Sequence, residues 1–403
     1  MSRSRSNPVS RPVSRGHAGW RSASSLVLAA GFSLTGAGTV MLGVLLPTLS
    51  QKWGLRDDAA GFLFFLQFAG SSLGAVLTGL HRLRTMRLGY GLLVVATCAL
   101  AFAGPRSAFT IFFFFGLGLG MAMTATSLLF SDRYEADRAQ KLEGLNFAWS
   151  AGAMSAPLFL LPVARADHLR ALFFALQAAF LLVLLWALLR ERSDNVLPEA
   201  VPAGVAEHRL SATAVVLIAL AVGAVGVETA LSSWLTSYVH RLAPLSHVAL
   251  FPVTLFYLGV VTSRLLSSTS LLQKMGQMRT LQGLLWGAAI SVALLIALRQ
   301  AGAIDAVAAL AGLCIGPLYP LVLAFLLERT SRGWIFAMAG VGAALFPWLT
   351  GICSAHFGSL RYGLLVPLTA AWAMAALRPV FFRPGRGAAG ASSPPRGEIS
   401  ACH

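Results

Sequence analysis

The stretch LNFAWSAGAMSAPLFLL, Leu145 to Leu161, decides how the rest of this chain is read. It is an apolar run with one amide, Asn146, and one indole, Trp149. Gly152-Ala153 follow, and then Pro157. The same order returns as Gly342-Ala343 and Pro347 in FAMAGVGAALFPWL, 190 residues on. Two further patterns move by nearly the same step. Gly116-Leu117-x-x-Gly120 leads to Asp132-Arg133, and Gly312-Leu313-x-x-Gly316 leads to Glu328-Arg329, a shift of 196. HRLRTMR (His81 to Arg87) returns as QKMGQMR (Gln273 to Arg279), a shift of 192. Three unconnected patterns with nearly the same shift make a duplicated unit, and the small differences are those that loop insertions leave.

Composition sets the solvent of this unit. Of 403 residues, 57% are hydrophobic and 11% charged. A soluble surface takes about a quarter charged residues, so most of this chain must face lipid. The net charge of +16 would point to nucleic acid. The arginines, however, lie in short connections and tails between apolar runs, which excludes a nucleic-acid surface. Cys98, Cys314 and Cys353 sit inside apolar segments and Cys402 in the tail, with no redox or metal-ligand spacing. His240 and His247 lack further ligands for a metal site. No metal or other cofactor is expected. No nucleophile–base arrangement and no phosphate-binding loop is present, so neither an enzyme nor an ATP-driven pump is expected.

Apolar runs of about 20 residues predict twelve membrane-spanning helices in an all-α protein. Residues 1–25, rich in Arg and Ser, read as a disordered tail. Residues 26–190 hold six spans, and 212–383 hold six more. The polar, Pro-containing stretch 191–211 joins them, and 384–403 is a low-complexity tail. The third span is placed to begin near residue 88 and the fifth near 142. With the N-terminus inside, 22 Lys and Arg fall on the cytoplasmic side and 8 on the outer side. This bias predicts both termini in the cytoplasm of a plasma (inner) membrane protein. A monomer in contact with lipid is expected.

Twelve helices in two parallel six-helix repeats resemble the major facilitator superfamily, one of the known secondary-transporter designs. That family's loop after helix two carries a Gly, an Asp-Arg pair and a basic cluster. Here Gly79 is followed by LHRLRTMR, without the aspartate. Four stretches narrow the resemblance to the fucose–proton symporter family of sugar transporters. LNFAW with GAMSAP is similar to its fifth helix and GVETALSSWLTSY (Gly226 to Tyr238) to its seventh. GPLYP (Gly316 to Pro320) and GVGAALFPWLTG (Gly340 to Gly351) are similar to its tenth and eleventh. The resemblance implies alternating access for a small solute, a sugar first, with protons as the candidate coupling ion. The acids that family uses in helices one and four are absent here.

Polar groups within the spans are the candidate site. Glu228 lies near mid-membrane in helix seven and reads as a proton or substrate site, or as a hydrogen-bonded packing element. Asn146 and Trp149 share a face, with an amide for hydroxyls and an indole for a sugar ring's C–H surface. Gln67 is either a ligand contact or an interhelical hydrogen bond. Arg264, on a face with Tyr257, reads as an inner gate paired with Glu328 or Glu143, or as a snorkelling side chain. Tyr319, between Pro317 and Pro320, lies where helix ten should break. Pro157 and Pro347 should let helices five and eleven bend. Trp234, Tyr238 and Trp348 fit an outer aromatic belt, and Asp57-Asp58 fit an N-cap. An exporter of amphiphilic compounds, and a receptor or scaffold that transports nothing, are the alternatives.

Overall fold

The computed structural model describes residues 23–79, 81–134, 137–161, 167–190, 212–242, 251–267, 277–327 and 334–377. The 191–211 connection, the 384–403 tail, nearly all of the 1–25 tail and Glu328 lie outside the described residues. Six helical segments precede residue 191: α1 (Ala23–Trp53), α2 (Asp57–Val76), α3 (Arg82–Ala101), α4 (Pro105–Arg133), α5 (Arg138–Leu160) and α6 (Leu169–Leu189). Eight follow: α7 (Ala212–Leu242), α8 (Phe251–Ser267), α9 (Gln277–Ala297), α10 (Ala301–Ile315), α11 (Leu318–Leu327), α12 (Trp334–Phe357), α13 (Leu360–Gly363) and α14 (Leu365–Ala376). No strand occurs among the described residues.

Local chemistry explains the ends. Gly54 takes φ +62° where α1 stops, and Gly358 takes φ +68° after α12, a left-handed conformation that costs glycine little. Pro105 opens α4 at a position where no backbone donor is needed. The Gly316–Pro317 step separates α10 from α11, because a proline supplies no N–H to continue the ladder. Counting α10–α11 and α13–α14 as single spans gives twelve crossings. Nine of these, with α10–α11 taken as one, are long and apolar enough to cross a membrane by length and composition. The third and fifth helices begin earlier than their apolar content indicates, at Arg82 and Arg138. Their first turns are charged, so hydropathy misses them while the backbone stays helical. HRLRTMR is therefore mostly helix, not loop.

The two halves repeat in their contacts. In the first, α1 packs on α5, α2 on α4 and α3 on α6; in the second, α7 packs on α12, α8 on α10 and α9 on α14. Glycines mark the same close approaches. A Cβ on Gly152 would lie 1.8 Å from the Ser33 carbonyl oxygen, and one on Gly342 would lie 2.1 Å from that of Val222. A Cβ on Gly70 would lie 2.2 Å from the Phe113 oxygen, and one on Gly259 would lie 2.2 Å from that of Ala309. Without hydrophobic drive between helices in lipid, such backbone contact is what holds spans together. The halves meet through α2–α12, α5–α8 and α1–α7.

Arg82 and Arg87, at the start of α3, find partners on the neighbouring helices. Arg82 pairs with Asp132 at the end of α4. Arg87 donates twice to the Ala187 carbonyl of α6, at 3.1 and 2.9 Å. Ser25 hydrogen-bonds Tyr134, whose ring also lies 5.1 Å from the Lys141 ammonium. The start of α3 is thereby anchored on both of its neighbours.

Candidate functional site

A cavity of about 820 Å³ lies between the halves, lined from one side by α1, α2, α4 and α5 and from the other by α7, α8, α11 and α12. The close approach at Gly152 presses α5 against α1, and Gly36 sits against the Trp149 carbonyl in the same seam. With that seam fixed, α5 presents Asn146, Trp149 and Ser150 to the cavity. On α8, Tyr257, Val261, Arg264 and Leu265 follow helical spacing and line the opposite wall.

One charged pair sits in this wall. An Arg264 Nη lies 3.8 Å from a Glu228 carboxylate oxygen. Its other Nη donates to the Ser150 hydroxyl at 2.9 Å. Arg264 thus ties α8 to α7 within its own half and to α5 across the interface. Beside it, the Trp149 indole meets Tyr257 edge-on at 6.1 Å, also across the interface. Ser232 of α7 hydrogen-bonds Tyr257. The remaining lining is largely apolar and aromatic, with Phe32, Phe68, Met123 and Leu323 among it.

Among the described residues the cavity opens toward the start of α5. Toward the start of α5, Gln140, Glu143, Asn146 and Phe147 are exposed, as is Pro320 of α11. Toward the end of α1 the halves close on each other. A Cβ on Gly43 would lie 2.8 Å from the Ser233 oxygen, and one on Gly351 would lie 2.4 Å from the Asp57 oxygen. Trp234, fully buried, donates its indole N–H to the Pro347 carbonyl at 2.8 Å and packs edge-on against Phe64. Arg241 forks onto Asp57 at 2.8 and 2.5 Å, and the Ser354 hydroxyl takes the same carboxylate at 2.5 Å.

Of the residues the sequence singles out, Asn146, Trp149, Glu228, Tyr257, Arg264 and Tyr319 come together on this cavity. Gln67 does not. Its side chain is buried and donates to the Thr39 carbonyl of α1 at 2.8 Å, the interhelical alternative. Arg264 takes Glu228 as its acid, while Glu143 stays exposed at the mouth. Pro157 and Pro347 lie inside α5 and α12. Trp234 and Tyr238 form no lipid-facing belt, since both are buried and Tyr238 donates to the Leu295 carbonyl at 3.1 Å. Asp57 is not a cap either. It is the first residue of α2 and spends its carboxylate on the other half.

Sequence reasoning missed two features, the Ser150 contact to Arg264 and the Asp57–Arg241–Ser354 cluster. A residual signal exists for the second: Asp57 and Arg241 are both charged groups at the ends of apolar runs, and the loop charge bias assigns both ends to the outer side.

The profile of the Major Facilitator Superfamily matches residues 28–333. Among solved structures, the nucleoside transporter NupG, in mutant form, superposes with a TM-score of 0.67 at 10% identity, covering 89% of this chain and 99% of that one. A bacterial homologue of the human lysosomal transporter Spinster, inward-facing and occupied, superposes with a TM-score of 0.67 at 14% identity, covering 88% and 95%. No curated protein sequence matches. The fold, two six-helix repeats around a central cavity, is that of a membrane transporter and not of an enzyme. The chain belongs to the major facilitator superfamily.

Proposed function

We propose that this transporter moves a small polar solute, a sugar or related polyol first, by alternating access and with proton symport. The observation that carries this reading is the placement of Glu228, Arg264, Asn146 and Trp149 on one cavity between the halves. An amide and a guanidinium serve hydroxyls, and an indole with a tyrosine serves a ring's apolar face. The short motifs similar to the fucose–proton symporter family support a sugar. Glu228 carries the proton, being the acid set deepest in the cavity wall. The bundles 26–190 and 212–383 rock about the site, joined by 191–211. The loop charge bias supports cytoplasmic termini in a plasma (inner) membrane, so the cavity described above opens inward and the Asp57 end faces out. The protein works as a monomer in lipid.

A second reading, export of amphiphilic compounds, is favoured by one observation, the aromatic and aliphatic share of the wall around Phe32, Phe68 and Phe147. Uptake into proteoliposomes separates the two. With an imposed pH gradient, sugars should accumulate. Glu228→Gln should abolish accumulation and preserve exchange, because the amide imitates a protonated carboxyl that never releases its proton. Uptake indifferent to the gradient, or a Gln variant that still concentrates solute, removes Glu228 from coupling.

A further inference from the structure

Arg264 is the one cation lining the cavity among the described residues. It faces Glu228 at 3.8 Å, longer than a hydrogen-bonded fork, while its contact to Ser150 is a full hydrogen bond at 2.9 Å. We infer that the solute carries one carboxylate, which takes the place of Glu228 as the partner of Arg264 when Glu228 takes up one proton. This rests on the transport reading above and names its substrate class, a polyhydroxy monocarboxylate such as a sugar acid.

The argument is one of charge and geometry. A guanidinium stays charged through the physiological range and matches a carboxylate with two parallel donors. In the empty cavity, ionised Glu228 neutralises it. An anion entering alone would leave two negative groups for one positive. A proton entering alone would leave Arg264 uncompensated. Either state buries a net charge at membrane depth, which is costly. With both bound, Glu228 is neutral and Arg264 holds the solute's carboxylate, so the site is again neutral. The two neutral forms, empty and doubly loaded, are the ones that can close and reopen. Symport is therefore one proton to one anion and electroneutral. Ser150 keeps Arg264 tied to the first half through the exchange, so the fork stays aimed into the cavity.

The other groups facing Glu228 do not upset this balance. Tyr257 and Arg264 come from α8 and Tyr319 from α11, and the tyrosines are neutral at working pH. The lining residues of α1 and α12 are not titratable, and Glu143 stands at the mouth. Asn146 and Trp149, across from the pair, take the hydroxyls and the ring of the same solute.

Proteoliposomes holding the full chain test this with three probe sets: neutral hexoses, the matching hexuronates, and short monocarboxylates poor in hydroxyls. Hexuronate uptake should follow an imposed pH gradient and ignore an imposed membrane potential. Its apparent Kd should rise about tenfold per pH unit above the Glu228 titration. That slope should vanish in Glu228→Gln, and Arg264→Gln should lose hexuronate binding. Uptake driven by potential, or a flat wild-type pH profile, overturns the inference without reference to any variant. Transport of hexoses but not hexuronates overturns it and leaves the sugar reading standing. Transport of the hydroxyl-poor acids alone upholds the carboxylate and overturns the sugar.

Discussion

A methyl group at Gly342 would sit 2.1 Å from the Val222 oxygen, and one at Gly152 would sit 1.8 Å from that of Ser33. Both obstacles are backbone, so neither can swing aside. The helices themselves would have to part, and overpacking of this sort costs about 1–3 kcal/mol. Gly283 in α9 has nothing within 4 Å. The expected result is a matched contrast. Gly152→Ala and Gly342→Ala should each lower the melting temperature in detergent, whereas Gly283→Ala should leave it unchanged or raise it slightly, because alanine also favours the helix. Equal melting points for all three would mean that the seams are looser than the backbone contacts indicate. These glycines were legible in the sequence as spacing and order. The side-chain partners were not. Glu228 and Arg264 lie on different helices, and which acid meets the arginine depends on helix rotation, which hydropathy does not encode. Asp57 finds Arg241 and Ser354 from 184 and 297 positions away.

At the level of elements, α5 and α12 occupy equivalent places in the repeat, and each carries a proline within its length. Proline removes one backbone donor and crowds the preceding turn, so each helix has a fixed weak point. In α12 the Pro347 carbonyl is further claimed by the Trp234 indole, which ties the weak point to α7. If these helices bend as the cavity opens and closes, Pro157→Ala with Pro347→Ala should slow turnover several-fold while equilibrium solute affinity stays within about twofold. Single-turnover and binding measurements on the same preparation decide it. Unchanged turnover would make the prolines packing features. The helices themselves could be read from apolar runs, because nine segments of the described residues are long and apolar enough to cross a membrane and leave little freedom in placing the rest. Their beginnings could not, since α3 and α5 start in charged turns that look like loop until their contacts are seen.

For the whole molecule, the question is what holds one end shut. Asp57 belongs to the first half, and both its partners, Arg241 and Ser354, belong to the second. The Asp57 side chain is 13% exposed, so its contacts count for more than those of an open surface pair. Opening at this end must break them all together. Asp57→Asn should therefore shift the balance toward the form open at this end, outward-open in the orientation proposed above, by about 1–2 kcal/mol, a five- to thirtyfold change in population. A cysteine at Thr39, which lines the cavity, reports this in a background free of native cysteines. A membrane-impermeant thiol reagent added outside whole cells should label it slowly in the parent and correspondingly faster in Asp57→Asn. Equal rates would remove the cluster from gating.

The closed end also does a second job. From Gly43, where α1 meets the Ser233 backbone, to Trp53 at the end of α1 is a climb of ten residues, roughly 15 Å of helix at 1.5 Å per residue. Near its start the halves touch through the backbone at Gly43, toward its end through that at Gly351, and the Trp234 and Phe64 rings fill the space between, while Asp57 is held by Arg241 and Ser354. The packed length is about half the thickness of the hydrocarbon layer. Packing of this kind at one end is what lets a membrane hold a carrier whose cavity stands open at the other without becoming a hole.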